Sequence, residues 1–437
     1  MDAGKRSDLT KAGEAVEKAR RMVERLYGHR VVRNAALMYA VQMSSYVFPL
    51  LILPYLARVL SREKFGLIAF SQMFIWYFII LVDYGFNLTA TREVAVSRED
   101  SAKVSRIFSA VMVAKAMLTL LGLVLMVGVV MATPKLRPDL DLYLLAFLGV
   151  VGNLLFPIWL YQGLEKMREV ALRDFAAKLL ALVVIFGLVR SDEQYLLAGA
   201  VQPVASLVCG LVVLWRLKSL GVRMERPRWV EVKQAFVQGW VPFLGLSAVS
   251  GAMISNVVVL GLWSTPVEVA VYSGGQRIII ALRTMVAPVS TALYPYASQK
   301  ASRSEREAME FVMRIRGMVA APFLVCGVVM LVGAPWLLPW FLGPKYVDSV
   351  PVMQIMAFIP LMFSLVQIHS TYYMLACGYD KEWMRITMVV TVFNLIAMTL
   401  FLYTMRGAYA IAWTSLLTES LGALIYWRFF RKKWVSL

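Results

Sequence analysis

Histidine, cysteine and charged residues are scarce in this sequence, and each scarcity disfavours a class of protein. The two histidines, His29 and His369, are far apart in the chain, which disfavours a histidine-based catalytic or metal centre. The cysteines lie in apolar stretches without metal-ligand spacing and are interpreted as small buried residues: Cys209, Cys326 and Cys377. G-x-x-x-x-G-K, H-E-x-x-H, C-x-x-C and G-x-S-x-G patterns are absent, so no cofactor and no hydrolytic chemistry are predicted.

The low charge content places the chain among membrane proteins. Only 16% of its 437 residues are charged and 60% are hydrophobic, with a mean hydropathy of +0.67. Soluble domains carry about 25% charged residues. Apolar windows of about 20 residues, enough to cross a bilayer, repeat along the chain. They predict twelve membrane spans, at 34–58, 65–90, 104–131, 140–162, 169–189, 194–216, 235–262, 266–296, 312–342, 350–377, 383–404 and 408–429.

The positive charges are distributed unevenly between the two sides of these spans. If the amino terminus is cytoplasmic, 33 of the 45 Lys and Arg residues fall on the cytoplasmic side and 8 on the other. This is the asymmetry that orients membrane proteins, and it predicts that both termini are cytoplasmic. The net charge of +18 is therefore attributed to membrane orientation, and no nucleic-acid partner is predicted.

Polar stretches divide the chain into segments. Residues 1–33 have an apolar stripe with a 3.6-residue period and are predicted to form a cytoplasmic amphipathic helix on anionic lipid; a solvated or partner-binding arm is the alternative. Residues 217–234 are basic and are predicted to link an N-lobe (34–216) to a C-lobe (235–430), followed by a basic tail at 431–437.

A weak internal repeat supports two related lobes. A constant offset of 204 residues aligns Phe65 with Val269 and Gln72 with Gln276, each in the second span of its half. Six spans per half preserve orientation, as a parallel repeat requires. The predicted fold is an all-α membrane protein with twelve transmembrane helices in two six-helix lobes, related by a pseudo-two-fold axis along the membrane normal.

Four cations lie well inside predicted spans, away from their ends: Lys115, Lys178, Arg277 and Arg283. A cation at mid-span costs about 2.5–3.5 kcal/mol, so such residues usually face a polar cavity or a partner. Because they occur in both halves, they are predicted to line a cavity that binds a concentrated negative charge such as pyrophosphate. Lys178 has Asp174 one turn earlier, so an intrahelical ion pair is equally compatible with its position.

Two membrane carboxylates complement the cations. Glu419 lies near the midplane of the last span and is a candidate for ion coupling or for neutralising a buried cation. Asp83 lies toward the cytoplasmic end of the second span and is assigned the same two candidate roles. Gly85 and Asn87 follow it, and they predict a local break in the helix, which is tolerated where the backbone lines a cavity or packs on protein.

The stretch 52–100 resembles the Wzx-type polysaccharide flippases, which translocate O-antigen and other repeat units. These belong to the multidrug/oligosaccharidyl-lipid/polysaccharide exporter superfamily. The matching residues are Pro54, Arg58, Phe65-Gly66, and Asp83-x-Gly85-Phe86-Asn87 with Arg92-Glu93. Stretches 257–278 and 291–299 are similar as well.

The resemblance implies a function that the residues by themselves do not specify. It implies a multi-pass protein of the bacterial inner membrane, with alternating access and no enzymatic activity. The implied substrate is an oligosaccharide on an undecaprenyl pyrophosphate carrier, moved from the inner to the outer leaflet with coupling to H⁺ or Na⁺. Membrane lipids are implied partners, and polysaccharide polymerase machinery is a candidate partner.

Two alternatives remain open on the sequence. A relative with the same fold could carry lipid II, or could export drugs by cation exchange, although drug exporters would be expected to have a more acidic cavity. A membrane enzyme of polysaccharide assembly is less favoured, because the connections around 133–141 and 343–349 are too short to hold a catalytic outer loop.

Overall fold

The computed structural model describes residues 47–436, apart from the side chains of residues 168, 173, 218, 219, 248–253, 287, 288 and 291. The predicted amphipathic arm and the beginning of the first predicted span lie outside these residues. The described chain is helical throughout its membrane segments. Its helices are α1 (Val47–Val59), α2 (Arg62–Asp83), α3 (Phe86–Val96), α4 (Ser101–Ala132), α5 (Leu140–Leu155), α6 (Ile158–Gly163), α7 (Met167–Leu188), α8 (Tyr195–Trp215), α9 (Trp229–Trp263), α10 (Pro266–Thr284), α11 (Val286–Arg303), α12 (Glu305–Leu342), α13 (Ser349–Met356), α14 (Ile359–His369), α15 (Asp380–Thr404) and α16 (Gly407–Ser436).

Short polar residues begin several of these helices. Ser61 and Asp100 accept hydrogen bonds from the backbone N–H groups of Lys64 and Lys103, and so cap α2 and α4. Thr265 caps α10 in the same way, and Pro266 follows it at the first helical position. Proline fits there because the first N–H groups of a helix have no partner within the helix. The loops that precede α2 and α10 therefore specify where these helices start.

The predicted break after Asp83 is confirmed. α2 ends at Asp83, Tyr84 and Gly85 adopt left-handed backbone conformations with φ of 41° and 78°, and α3 begins at Phe86. A Cβ atom at Gly85 would lie 2.7 Å from Cβ of Pro242 on α9. Glycine is required here both by the positive φ and by the close approach of α9.

Eight described helical stretches are long and apolar enough to span a membrane: Arg62–Val96, Ser101–Ala132, Arg137–Gly163, Asp192–Trp215, Glu305–Leu342, Ser349–Leu375, Asp380–Thr404 and Gly407–Ser436. They expose apolar side chains, such as Val325, Val328 and Val332 on α12, that suit contact with lipid. The chain is thus a multi-pass membrane protein. α7 and α10 fall outside the eight; α7 carries Asp174 and Lys178, and α10 carries Arg277 and Arg283. The total of twelve spans stays a prediction.

The N-terminal half (47–220) and the C-terminal half (229–436) meet mainly through α2. This helix packs along α10 and against α9, and α4 also contacts α9. We call the end of the bundle formed by residues 58–66, 133–139, 261–268 and 340–348 the outer end, after the orientation that the charge distribution predicts. The opposite end is called the inner end.

Candidate functional site

Lys115 on α4 is buried in an ion pair within the N-terminal half. Its ammonium group lies 3.0 Å from Oδ1 of Asp83, 3.0 Å from Oδ1 of Asn153 and 3.4 Å from the Asn153 carbonyl oxygen. The Lys115 side chain is 1% exposed and that of Asp83 is 23% exposed. The helix break positions Asp83, the last residue of α2, beside α4. In this conformation the three donors of Lys115 are directed at these acceptors, so its predicted role in binding substrate stays a prediction.

Sequence reasoning missed Asn153 as a partner of Lys115. The available signal was a lone amide in the apolar run of the fourth predicted span. Because α5 ends two residues later, at Leu155, the Asn153 carbonyl belongs to the last turn, where it accepts a hydrogen bond from the backbone N–H of Phe156 over 3.3 Å and has room for a second donor. Lys115 therefore satisfies both a carboxylate and a helix end.

Arg283 and Glu419 form the corresponding ion pair of the C-terminal half. Nη2 of Arg283 on α10 lies 2.8 Å from Oε1 of Glu419 on α16, and the two side chains are 16% and 19% exposed. The Arg283 guanidinium also lies 4.1 Å from the ring centroid of Phe363, which is a cation–π distance. Glu419 thus faces a cation on another helix, in agreement with one of its two candidate roles, and its role in ion coupling stays a prediction.

Lys178 pairs with Asp174 one turn earlier on α7. The side chains are 24% and 44% exposed, so this pair is the most accessible of the three pairs in the membrane segments. It is the intrahelical pair that the sequence offered as the alternative for Lys178. Binding of substrate by Lys178 stays a prediction.

Arg277 differs from the other three membrane cations because its hydrogen-bond partner is neutral. Nη2 of Arg277 on α10 donates to Oε1 of Gln72 on α2 over 2.8 Å, across the contact between the two halves. The guanidinium carbon lies 5.5 Å from the ring centroid of Phe65, also on α2. Among the described residues, no carboxylate lies within ion-pair distance of Arg277. No residue that the structure describes therefore neutralises its positive charge.

Polar groups continue along both sides of Arg277. The hydroxyl groups of Tyr77 on α2 and Ser255 on α9 lie 2.7 Å apart, which adds another hydrogen bond between α2 and the C-terminal half. Within the C-terminal half, Ser415 lies 3.2 Å from the Tyr272 hydroxyl and 3.1 Å from the Asn256 amide nitrogen. The Tyr77–Ser255 contact thus lies between the halves, and the contacts of Ser415 lie within the C-terminal half.

Charged side chains join the halves at the outer end. Arg62 and Asp348 form an ion pair of 2.6 Å between α2 and the loop before α13. Lys135 donates to the carbonyl oxygens of Gly261, Leu262 and Ser264. Lys345 donates in turn to carbonyl oxygens of the N-terminal half. Burial lowers the pKa of both lysines, because desolvation disfavours their charged form.

Two of the residues that carried the family resemblance, Gly66 and Arg58, lie at contacts between the halves. A Cβ atom at Gly66 would clash with the Pro266 carbonyl oxygen, so α2 and α10 can pack this closely only because residue 66 is glycine. Arg58 donates to the carbonyl oxygen of Trp340 in the other half. Pro54 lies in α1, and Oδ1 of Asn87 in the first turn of α3 is buried without a partner among the described residues.

Comparison with known sequences identifies relatives over most of the chain. A family described as "Polysaccharide biosynthesis protein" matches residues 31–301. A protein of Escherichia coli (strain K12) named "Putative O-antigen transporter" is 30% identical over 375 residues, which cover 83% of this chain and 88% of that protein. A Shigella dysenteriae protein of the same name is 28% identical over 395 residues, which cover 89% and 97%.

Solved structures share the fold at low sequence identity. An inward-facing multidrug resistance MATE family transporter of the MOP superfamily matches with a TM-score of 0.66 and 12% identity, over 91% of this chain and 98% of that one. The lipid II flippase MurJ in its inward closed conformation matches with a TM-score of 0.66 and 12% identity, over 91% and 87%. Together these findings confirm the resemblance found in the sequence and a role in transport rather than enzymatic catalysis. This chain belongs to the polysaccharide biosynthesis protein family, as a multi-pass membrane transporter with the MOP-superfamily fold.

Proposed function

We propose that this protein is a flippase that moves an oligosaccharide linked to undecaprenyl pyrophosphate from the inner to the outer leaflet of the bacterial inner membrane. The names of the two curated relatives support an O-antigen type of substrate. The proposed architecture is two six-helix lobes with both termini cytoplasmic, which alternate between openings on either side. Coupling to an H⁺ or Na⁺ gradient, with Glu419 as the coupling group, belongs to the same proposal.

The observation that carries the proposal is the un-neutralised charge of Arg277 between the two halves. Three of the four membrane cations have a carboxylate partner in their own half, and Arg277 has a neutral amide from the other half. Keeping a cation at this depth without a carboxylate costs about 2.5–3.5 kcal/mol. A pyrophosphate would offset this cost, since a guanidinium binds phosphate oxygens through two parallel charge-assisted hydrogen bonds.

The outer contacts support alternating access. In this conformation Arg62–Asp348 and the two lysines hold the halves together at the outer end. A substrate that leaves toward the outer leaflet requires these contacts to separate. Hydrogen bonds to carbonyl groups and exposed ion pairs can be exchanged for water at a cost of about 1 kcal/mol each, so separation is accessible during a transport cycle.

The test is complementation of a flippase-deficient strain combined with transport by purified protein in vesicles. Arg277→Ala is expected to reduce polymer export at least tenfold at a normal membrane level. Lys300→Ala is the matched control, because Lys300 lies in α11 outside the eight apolar stretches and pairs with Glu307 in the first turn of α12. Full export by the Arg277→Ala variant would refute the proposed binding site. Transport of lipid II or of a cationic drug, but not of lipid-linked oligosaccharide, would assign one of the alternative substrates.

A further inference from the structure

We propose that Gln72 is a positioning residue: it holds the Arg277 guanidinium between the halves without neutralising it, so that an anionic substrate can take its place. This inference rests on the proposed function and extends it to how binding and opening are connected. Gln72 is one of the residues aligned by the internal repeat, but no sequence pattern indicated its contact with Arg277.

The geometry places Arg277 between two residues of one face of α2. Phe65 and Gln72 are seven residues apart, which is about two helical turns. The guanidinium lies 5.5 Å from the Phe65 ring centroid and 2.8 Å from Oε1 of Gln72. The side chain of Arg277 therefore crosses from α10 to α2, and the helices cannot separate here without breaking this hydrogen bond.

The chemistry of the amide distinguishes this contact from the three ion pairs. A guanidinium has five N–H donors, and one of them is used by Gln72. An amide oxygen orients the guanidinium but leaves its full charge, whereas a carboxylate or phosphate oxygen adds the attraction of opposite charges to the hydrogen bond. A pyrophosphate can therefore displace Gln72 from Arg277. A carboxylate at position 72 would resist displacement and would repel the incoming phosphates.

Substrate binding thereby removes a contact between α2 and α10. Once the guanidinium has turned toward the pyrophosphate, the Tyr77–Ser255 hydrogen bond of 2.7 Å is the neighbouring polar contact between the halves. Loss of the Gln72 contact weakens the closed interface only when substrate is present. Gln72 thus connects occupancy of the site to separation of the halves.

The sharpest test is Gln72→Glu, which changes charge with almost no change in size. Binding of undecaprenyl pyrophosphate to the purified full-length protein is measured together with thermal unfolding. We expect the affinity to fall at least tenfold while the unfolding temperature stays equal or rises, because the introduced carboxylate would form an ion pair with Arg277. A purely structural role of Gln72 predicts instead that affinity and stability fall together.

Exchanging the residues at positions 72 and 277 tests whether binding can be restored. Arg277→Gln removes the charge and is expected to lose binding, whereas Gln72→Arg combined with Arg277→Gln restores one cation and one amide to the interface and is expected to recover binding in part. Wild-type affinity in the Gln72→Glu variant would overturn this inference while leaving the proposed function intact. Wild-type affinity in the Arg277→Ala variant would overturn the proposed function itself.

A separate set of contacts supports a second inference. We propose that Lys135 and Lys345 form a reciprocal pair of helix caps that keeps the outer end closed. Lys135, between α4 and α5, binds carbonyl oxygens at the end of α9. Lys345, between α12 and α13, binds the carbonyl oxygens of Arg58 and Leu60 at the end of α1.

The carbonyl acceptors of the two caps are related by the internal repeat, although the two lysines themselves are not aligned by it. The offset of 204 residues that aligns the halves places Leu60 on Ser264 and Arg58 on Leu262, and these four carbonyl oxygens are all bound by the lysines. The last carbonyl groups of a helix have no partner within it and carry the negative end of its dipole. Each half therefore supplies a cation for a helix end of the other half, and both contacts must break when the outer end opens.

The test measures access to the interface from the outer side. Ser273→Cys on α10 is introduced into a variant whose three cysteines are replaced, and its modification by a membrane-impermeant thiol reagent is followed. Lys135→Met combined with Lys345→Met keeps the apolar side-chain stems, and we expect labelling to become at least fivefold faster. Lys64→Met is the matched control, because Lys64 lies over the Tyr195 ring within its own half. Unchanged or slower labelling in the double variant would overturn the inference.

Discussion

Lys115 and Arg277 are both membrane cations predicted near mid-bilayer, yet the structure gives them opposite surroundings. Lys115 is enclosed in one half, with a carboxylate and two amide oxygens from α2 and α5 as acceptors. Arg277 reaches from one half to the other and has a neutral partner. The comparison teaches that depth in the membrane does not define a binding residue. What distinguishes the two residues is whether a described carboxylate already neutralises the charge and whether the contact lies within one half or between the two halves.

The largest effect is expected when the Lys115 pair is broken. Lys115→Met leaves the Asp83 carboxylate without its cation, and loss of one partner of a buried pair lowers the free energy of unfolding by about 3–5 kcal/mol. Thermal unfolding of the purified protein and its level in the membrane measure this loss. Replacing both partners, with Lys115→Met and Asp83→Leu, is expected to restore much of the stability. A single variant as stable as the wild type would contradict the structural role assigned here.

A smaller effect, on transport rather than stability, is expected for Arg277→Lys. The charge remains, but the planar fork that binds two phosphate oxygens is lost. Transport should fall about tenfold, equivalent to about 1.4 kcal/mol, with little change in the unfolding temperature. Transport in vesicles, with protein amounts matched, measures the change. A variant that transports normally but has a lower unfolding temperature would show that Arg277, like Lys115, has a structural role rather than a role in binding.

Breaking the Arg283–Glu419 pair is expected to lower both stability and transport, each by less than in the two cases above. Glu419→Gln keeps a hydrogen-bond acceptor but removes the negative charge, so we expect a stability loss of about 1 kcal/mol, measured by thermal unfolding. If Glu419 also couples transport to an ion gradient, the variant should lose the acceleration that a proton or sodium gradient gives to the wild type. Retained acceleration together with lower stability would limit Glu419 to its role as counter-ion.

The smallest effect is expected at Lys178. Its pair with Asp174 is intrahelical and partly exposed, and such pairs contribute about 0.3–0.5 kcal/mol. Lys178→Gln should therefore unfold and transport nearly as the wild type does in the same two assays. A large loss of transport without a loss of stability would indicate instead that Lys178, like Arg277, is a candidate for binding substrate.

Sequence patterns predicted local features well. The helical membrane segments, the break at Gly85 and the Lys178–Asp174 pair depend on residues within one or two turns, and the structure contains all three. The family resemblance is confirmed by the comparisons. The roles of the predicted site residues in binding and coupling stay predictions, as do the lobe boundaries and the amphipathic arm.

Contacts between residues far apart in the sequence could not be predicted in the same way. Asp83 and Lys115 are separated by 32 residues, and Gln72 and Arg277 by 205. An isolated Lys or Arg in an apolar run signals that a partner or a ligand is needed, but not which one. That choice depends on how helices are rotated and packed, which a single sequence does not display.

By itself, the sequence determined that the chain enters the membrane, that its membrane segments are helical and which charges lie within apolar runs, because hydropathy, helix caps and backbone preferences act over short distances. Only the tertiary structure decided which buried charges neutralise one another. Helix packing brings Asp83 and Asn153 to Lys115 but leaves Arg277 opposite an amide across the boundary between the halves, and that difference in electrostatic environment separates a structural cation from a candidate for binding substrate.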